Sequence, residues 1–432
     1  MGKKVAIRGD LTEQTPPRPG RARRLPRSRS DASRALAIAA LGAIAFLYLR
    51  GQGVSDLRSF SVVAAGCTAL AVLWALEWRT GFGEAGSPNP RRSDFDWGMH
   101  YLRGFAIVMI LLTHFFGCIG PKWVKPAFFS GSTVYFLFIS GYLCQYLALR
   151  RPVATPDYLR KKVVNVLSPY LVWSAVTIAV VSLSGQSKMG VIKPAEITWG
   201  SLPDIFLLGW AQAPYWYIPF VFVFFLVSPW LTRIRTSRLV WLTVVAFFAA
   251  VCIPFRPKSH LVWEFTPTAL RYVFFFWTYL IGFLYARLKE RIDPYLKPYA
   301  VPALVLALVL AAVAIFPKTL KFCVLSSPFR TSLQKFLFLV PAVVLAIRLR
   351  DRRIRLFDAL AKYSFTLFFT HEFFLRDYVL LNRRLFNAFH PGVLGSWLVY
   401  LGLAVLFVAQ NLLLAMLMKA CLGKRSRCFI GA

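Results

Sequence analysis

The stretch RGFAIVMILLTH, Arg103–His114, places a guanidinium and an imidazole at the two ends of ten uncharged residues. In an α-helix, eleven positions are close to three turns, so Arg103 and His114 share one face and lie about 16 Å apart along the axis. Ionisable groups inside a membrane-spanning helix usually face the bundle interior or a wet cavity, where a neutral imidazole can act as a general base. The alternative is structural: Arg103 anchors a helix end, and His114 hydrogen-bonds to a neighbour.

The composition of the whole chain indicates a membrane protein. Of the 432 residues 57% are hydrophobic, the mean hydropathy is +0.56, and long uncharged runs recur. The net charge of +34 comes from basic residues between the apolar runs, which indicates membrane topology rather than a nucleic-acid partner. The seven cysteines are scattered without a CxxC pair, so we expect no disulfide framework and no metal site.

Twelve apolar runs predict an all-α polytopic membrane protein with about 12 transmembrane helices, because a spanning helix needs about 20 residues. The runs lie near residues 35–49, 60–78, 103–120, 127–149, 163–184, 215–231, 239–255, 268–287, 299–316, 333–348, 363–381 and 393–418. Lys and Arg are denser in one set of the intervening loops, and the positive-inside rule then places both termini in the cytoplasm. We expect a multi-pass protein of the plasma (inner) membrane.

The polar segments divide the chain into five parts. A basic arm at 1–34, expected to be disordered and cytoplasmic, precedes two transmembrane helices at 35–80 and a polar linker at 81–96. A ten-helix unit at 97–418 and a basic cytoplasmic tail at 419–432 complete the chain.

Five motifs follow one another along the ten-helix unit. They are RGFAIVMILLTH, VYFLFISGYL at 134–143, RKKVVNVLSPYLVWS at 160–174, PYWYIPF at 214–220 and YSFTLFFTH at 363–371. Together they resemble the integral-membrane acyltransferase 3 family: its Arg-to-His helix, its aromatic FFxxSG segment, its basic loop before a Pro-Tyr helix start, its Trp-centred segment and its late Ser-to-His helix. The resemblance covers about residues 97–418, so this unit is predicted to be an acyltransferase domain preceded by two extra helices.

Two positions depart from the family pattern. The family often has an acidic residue three positions before the Arg, where this chain has His100, and an earlier acid occurs at Asp96 in a different register. The family's basic loop often carries two arginines three positions apart, where this chain has Lys162 and Asn165. The second departure concerns the individual phosphate contacts, while the loop keeps its basic character.

The resemblance implies O-acyl transfer from cytoplasmic acyl-coenzyme A, with acetyl-coenzyme A as the expected donor, to a hydroxyl of a sugar, glycan precursor or related metabolite. His114 would be the general base that takes the proton of the hydroxyl. Arg103 would hold a coenzyme phosphate or the pantetheine end, or orient the site. The donor, the hydroxyl acceptor and the lipid bilayer are the expected partners, with neither a permanently bound cofactor nor a nucleic acid among them.

Five further residues are candidates for binding. Arg160, Lys161 and Lys162 would bind the donor phosphates, and the alternative is an ordinary positive-inside anchor. Ser140 either permits close helix approach together with the glycine that follows it or lines a donor channel. Trp216 is either an aromatic of the membrane interface or part of the acceptor site.

The late helix contributes a second imidazole and a carboxylate. His371 lies at a depth similar to that of His114, and it is either catalytic or an interhelical polar clamp. Glu372 follows as a candidate for substrate binding, and its spacing predicts an ion pair with Arg376 one turn later.

A twelve-span, proton-coupled secondary transporter is the alternative function, because buried His and Arg residues also suit proton-coupled transport. Such a transporter should show a pseudo-twofold relation between two halves, whereas the sequence shows two helices added to a unit of ten. A non-catalytic scaffold, the third class, predicts no wet cavity around His114.

Overall fold

The structure is a computed structural model that describes residues 95–150, 152–184, 192–252, 265–315, 327–350, 352, 354–423 and 426–431. The predicted basic arm, the two N-terminal helices and all but the last two residues of the polar linker lie outside the described residues. The described residues therefore belong mainly to the unit predicted to hold ten helices and to the segment that follows it.

Helices make up the secondary structure of the described part, which contains no strand. In chain order the α-helices are α1 Trp97–Cys118, α2 Thr133–Arg150, α3 Thr155–Lys162, α4 Ser168–Ser184, α5 Leu202–Leu208, α6 Tyr217–Leu231, α7 Thr236–Cys252, α8 Phe265–Ile315, α9 Ser327–Leu349, α10 Arg355–Lys362, α11 Ser364–Phe389, α12 Val393–Leu422 and α13 Ser426–Ile430. A π-helix at Lys125–Phe129 precedes α2, another at Val163–Leu167 joins α3 to α4, and a 3-10 turn lies at Pro194–Glu196.

Six helical stretches among the described residues are long and apolar enough to cross a membrane. They lie at Trp97–Cys118, Lys125–Arg150, Thr155–Leu183, Leu270–Val313, Pro328–Leu349 and Val393–Leu422. The helices α6 and α7 are apolar but shorter. The all-α membrane class is confirmed, whereas the count of about twelve spans stays a prediction.

Helix α1 begins where Asp96 caps it and ties it to two other helices. The Asp96 carboxylate accepts a hydrogen bond from the backbone N–H of Met99 at 3.0 Å, which is the usual role of an N-cap side chain. The same carboxylate accepts from Lys289 Nζ at 2.5 Å and from the Tyr142 hydroxyl at 2.5 Å. Burial raises the pKa of Asp96, but Lys289 and the hydrogen bonds outweigh burial and hold that pKa below its ordinary value of 3.8.

Helix α8 contains two of the runs predicted to be separate helices. Trp277 packs against Phe336 of α9 with 5.3 Å between ring centroids, and Gln334 of α9 donates to the carbonyl of Ala307 at 3.2 Å. A straight helix would separate residues 277 and 307 by about 45 Å, so α8 must bend back on itself to reach one short part of α9. Its interior prolines, which remove backbone donors and favour kinks, are Pro294, Pro298 and Pro302.

Two glycines let α2 and α8 touch along their backbones. A Cβ added at Gly141 would lie 2.1 Å from the carbonyl oxygen of Tyr279, and one added at Gly282 would lie 2.0 Å from that of Phe138. Any side chain at either position would therefore push the helices apart. The close helix approach predicted at Ser140 and Gly141 is found at Gly141, and Ser140 beside it faces a cavity.

The segment predicted as a basic tail, 419–432, is partly helical. Helix α12 runs to Leu422, and the short helix α13 follows at Ser426–Ile430. The side chain of Ile430 is only 1% exposed, so this part of the segment packs into the bundle.

Candidate active site

Helices α1 and α11 meet at two levels, and each level carries one end of the opening motif. Arg103 Nε donates to the hydroxyl oxygen of Ser364 at 2.7 Å. About three turns further along α1, His114 Nδ1 contacts Glu372 Oε1. Because both contacts are made with the same helix, the predicted common face of Arg103 and His114 is confirmed.

The deeper level is a cluster of two imidazoles and a carboxylate. The His114 and His371 rings lie edge to face, with centroids 5.0 Å apart, and His371 Nε2 is 3.9 Å from Glu372 Oε1. Glu372 is 3% and His371 0% exposed, whereas His114 is 24% exposed. Of the three side chains, only His114 therefore presents appreciable surface to an approaching molecule.

The hydrogen bonds of the cluster define which ring nitrogens carry protons. His371 Nδ1 lies 3.1 Å from the carbonyl oxygen of Leu367, which can only accept, so Nδ1 holds a proton, and the buried Nε2 is left without a hydrogen-bond partner. In the same way, an ionised Glu372 would keep the proton of its contact on His114 Nδ1 and leave the lone pair of His114 Nε2 free.

The predicted ion pair of Glu372 with Arg376 is corrected by the structure. Glu372 is buried and contacts His114 on α1, while Arg376 is exposed on the outer surface of the same helix. The i,i+4 spacing allows such a pair on an isolated helix, but the packing of α1 against α11 gives the carboxylate a partner from another helix.

The three side chains are also the group of possible cation ligands within the described residues. Their ligand atoms all lie within 4.8 Å of one another. Ligands of one tetrahedral Zn²⁺, each about 2.0–2.2 Å from the metal, are roughly 3.4 Å apart, whereas His114 and Glu372 are at hydrogen-bonding distance. The contact suits proton transfer better than shared coordination of a metal.

A large cavity of about 800 Å³ lies on the Arg103 side of the cluster. Within the described part of the chain, four basic side chains line it, Arg103, Lys161, Lys162 and Arg233, and Ser140 and Asn165 are among its polar residues. Lys161 is exposed, so the cavity reaches the surface beside α3. The structure thus brings together Arg103 from the first motif, Ser140 from the second and two of the three predicted phosphate ligands.

Arg160, the third of these predicted ligands, is exposed and is not part of the cavity lining. Lys162 Nζ, by contrast, lies 4.0 Å from the ring centroid of Phe225 and 5.3 Å from that of Tyr158. The two aromatic rings hold the ammonium at the cavity wall through cation–π contacts.

A small cavity of about 40 Å³ lies at His114. Trp216 and Pro214 line it together with His114, so the predicted site residue Trp216 lies beside the imidazole. Three aromatic side chains line both cavities and form the wall between them, and they are Phe136, Tyr217 and Phe368.

Sequence reasoning assigned no role to two residues that the structure places at the site. Ser364 accepts from Arg103, and the Tyr217 hydroxyl lies 3.4 Å from the Ser140 hydroxyl in the wall between the cavities. Both belong to motifs that resemble those of the family, YSFTLFFTH and PYWYIPF. Their position within those motifs was the available signal.

The position at which the family often has an acidic residue contacts a carboxylate of another helix. His100, which stands at that position, contacts Asp358 of α10 through Nε2 and Oδ1 at 2.9 Å. Arg103 itself donates to the hydroxyl oxygen of Ser364.

Of three comparisons with known proteins, the one with family models gives a match. No curated protein and no solved structure matches the chain significantly. A family model described as an acyltransferase domain matches residues 96–416, which includes α1, α11 and both cavities' aromatic wall. The chain belongs to the acyltransferase 3 family.

Proposed function

We propose that the protein is an integral-membrane O-acyltransferase that moves an acetyl group from acetyl-coenzyme A to a hydroxyl of a sugar, glycan precursor or related metabolite. The observation that carries this proposal is the contact between His114 Nδ1 and the buried Glu372 carboxylate. That contact leaves Nε2 of the more exposed imidazole as a base, and only an aromatic wall separates this ring from the large cavity.

Glu372 fixes the tautomer of His114 that general-base catalysis requires. An ionised carboxylate on Nδ1 holds the ring in the tautomer whose Nε2 is unprotonated and stabilises the imidazolium formed when Nε2 takes a proton. His371 packs edge-on against His114 and positions it rather than reacting itself. Its ring is fixed by the hydrogen bond to the Leu367 carbonyl.

The reaction then follows from the chemistry of a thioester and an alcohol. His114 Nε2 removes the hydroxyl proton as the hydroxyl oxygen attacks the thioester carbonyl, so a C–O bond forms while charge collects on the carbonyl oxygen. The tetrahedral intermediate collapses with cleavage of the C–S bond, and coenzyme A leaves as a thiolate that takes the proton from the imidazolium. The products are an ester and coenzyme A, and His114 returns to its neutral state.

The large cavity is the proposed donor site. Its volume of about 800 Å³ falls within the range of roughly 300–1,000 Å³ typical of ligand pockets. Arg103, Lys161, Lys162 and Arg233 place four cations along it, and these can form charge-assisted hydrogen bonds with coenzyme phosphates. Arg160, outside the lining, would contribute only to the attraction of the anionic donor toward the cavity mouth.

The thioester must pass the aromatic wall to reach His114. Phe136, Tyr217 and Phe368 line both cavities, so rotation of their side chains would join the two spaces. Trp216, in the small cavity, would then pack against the acceptor. A narrow aromatic passage also excludes water, which would otherwise hydrolyse the acyl group.

The proposal includes an orientation in the membrane. The large cavity opens where basic residues are dense, and the positive-inside rule places such an end in the cytoplasm, where acyl-coenzyme A is made. With an even number of spans, both termini are cytoplasmic in the plasma membrane. A reporter fused after Ala432 that reads as external would contradict this orientation.

Two experiments test the function. Purified protein in lipid nanodiscs should bind acetyl-coenzyme A and transfer its labelled acetyl group to a hydroxyl-bearing acceptor from a cell extract. Mass spectrometry of surface glycans and lipids from cells with and without the gene should identify the acetylated product. Uptake of a solute without any acetylated product would favour a transporter and contradict the proposal.

A further inference from the structure

The residues Ser426–Gly431, which we call the return segment, form part of the wall of the large cavity. Gly431 lines the cavity, and Ser426 and Ile430 are 0% and 1% exposed. A solvated basic tail would bury neither side chain. The return segment is therefore built into the bundle at the proposed donor site.

Two contacts attach the return segment to the start of α11. The hydroxyl of Thr366 donates to the carbonyl oxygen of Ile430 at 2.9 Å, and both groups are buried. Gly431 has a backbone φ of +71°, and a Cβ added there would lie only 2.8 Å from the Cβ of Phe365. The return segment thus lies directly against two consecutive residues of α11.

One of those two residues, Phe365, contacts Arg103 together with the neighbouring Ser364. The guanidinium carbon of Arg103 lies 5.3 Å from the ring centroid of Phe365, and Arg103 Nε donates to Ser364. A guanidinium held by a ring and a hydroxyl has a defined direction. Movement of the return segment would release Phe365 and with it the orientation of Arg103.

We propose that the return segment is a positioning element for the donor: it completes the wall of the large cavity and presses Phe365 against Arg103, so it sets the affinity for acyl-coenzyme A. This inference rests on the proposed function, since it assumes that the large cavity binds the donor. The His114–Glu372 contact lies on the far side of the aromatic wall, so loss of the return segment weakens donor binding without slowing the chemical step in proportion.

A pair of glycine substitutions separates this contact from simple backbone strain. Gly431→Ala and Gly423→Ala both place a side chain at a positive φ, +71° and +54°, which is unfavourable for alanine. The new methyl group would collide with Phe365 at position 431, whereas at position 423 it would meet nothing within 4 Å. Gly423→Ala is therefore a control that also places alanine at a positive φ and lacks the contact with Phe365.

The experiment measures the donor KM, the turnover number and the binding of coenzyme A for both variants in nanodiscs. Gly431→Ala should raise the donor KM and the Kd for coenzyme A by about fivefold while kcat changes less than about twofold, the pattern of lost uniform binding. Gly423→Ala should match wild type in all three. Equal donor affinities in wild type and Gly431→Ala would overturn the inference.

A second variant tests the return segment as a whole rather than one contact. A stop codon in place of Lys424 removes the whole return segment, and it should raise the donor KM by about tenfold or more, with monodisperse protein by size-exclusion chromatography as the check on folding. An unchanged KM in folded, truncated protein would contradict the inference alone. A wild-type protein that binds no coenzyme A would overturn the proposed donor, and the inference with it.

Discussion

The two cavities divide the site into a wide, basic region and a narrow, buried one. The large cavity, about 800 Å³, gathers cations from three parts of the chain, and several of its contacts are to partly exposed side chains. The small cavity, about 40 Å³, is lined by His114. Among the described residues, that imidazole has one ionic contact, with the Glu372 carboxylate, which is 3% exposed. In the proposed function, donor affinity is thus spread over many replaceable groups, whereas the chemistry is concentrated in one contact without a substitute.

Removing the imidazole should have the largest effect. His114→Ala should leave the protein inserted and folded, since the ring is partly exposed to a cavity. Product formation should fall by about 10²–10⁴-fold, the usual contribution of a positioned base. Loss of expression with normal activity per folded molecule would instead indicate a packing histidine.

Changing the carboxylate should be the next most severe change. Glu372→Gln keeps the shape of the side chain, but the amide can present its NH₂ group to His114 Nδ1 and favour the wrong tautomer. We expect kcat to fall by about 10²-fold with little change in donor KM. Arg376→Gln is the matched control on the same helix, because Arg376 is exposed; equal losses in both variants would remove Glu372 from the mechanism.

Arg103→Lys should have an intermediate effect and appear mainly in donor binding. Lysine keeps the charge but cannot donate to Ser364 and to a donor phosphate with the fixed geometry of a guanidinium. The donor KM should rise by about tenfold. Ser364→Ala removes the acceptor of the 2.7 Å hydrogen bond and should raise KM in the same direction but less. A fall in kcat alone would place Arg103 in the narrow region instead.

Variants of the basic loop test whether donor affinity depends on the side chains that line the large cavity or only on the net charge of the loop. Lys161→Ala with Lys162→Ala should raise the donor KM by about three- to fivefold, more at low ionic strength than at high. Arg160→Ala removes an equal type of charge outside the lining and should change KM by less than about twofold. Equal effects of all three positions would mean that the loop acts only through its net charge, and an unchanged KM in a folded triple variant would reduce it to a membrane anchor.

The smallest effect on activity should come from Asp96, which lines neither cavity. Asp96→Asn keeps an N-cap acceptor for Met99 but loses the ion pair with Lys289, a side chain 17% exposed. Breaking a largely buried pair costs about 3 kcal/mol, which lowers the Tm by about 3 °C in a chain of this size. Activity per folded molecule at lower temperature should be unchanged.

The sign of the pH dependence follows from the lowered pKa of Asp96. A carboxyl whose pKa falls on folding contributes stability above its unfolded pKa and loses it as the pH falls through the folded value. The difference in Tm between wild type and Asp96→Asn should therefore be constant from about pH 5 to about pH 8. Thermal unfolding across that range checks it, and a difference that vanishes near neutral pH would contradict the ion pair.

The sequence predicted features that depend on local periodicity. The common face of Arg103 and His114 follows from the helical repeat, and the close helix approach at Gly141 follows from the absence of a side chain. Both are found, at the contacts with α11 and at the Tyr279 carbonyl. Such features need only the neighbouring residues to be defined.

Features that depend on which helices pack together could not be predicted from the local periodicity of the sequence. Spacing on one helix predicted Arg376 as the partner of Glu372, whereas the real partner, His114, lies far away in the sequence. The bend of α8 and the return of Ile430 to the bundle are likewise fixed by contacts with other helices. Tertiary packing therefore decides the part of the site on which the chemistry depends.

In the proposed function the large cavity binds the donor and His114 carries out the chemistry. The most direct test of this division compares wild type with His114→Gln, a substitution that keeps much of the ring's bulk and polarity but not its basicity. On the same nanodisc preparations, coenzyme A binding and acylated product per inserted protein would be measured together. The proposed division predicts a Kd for coenzyme A within about twofold of wild type and a loss of product of at least about 10²-fold. Near-equal product formation would contradict the claim that His114 is the general base.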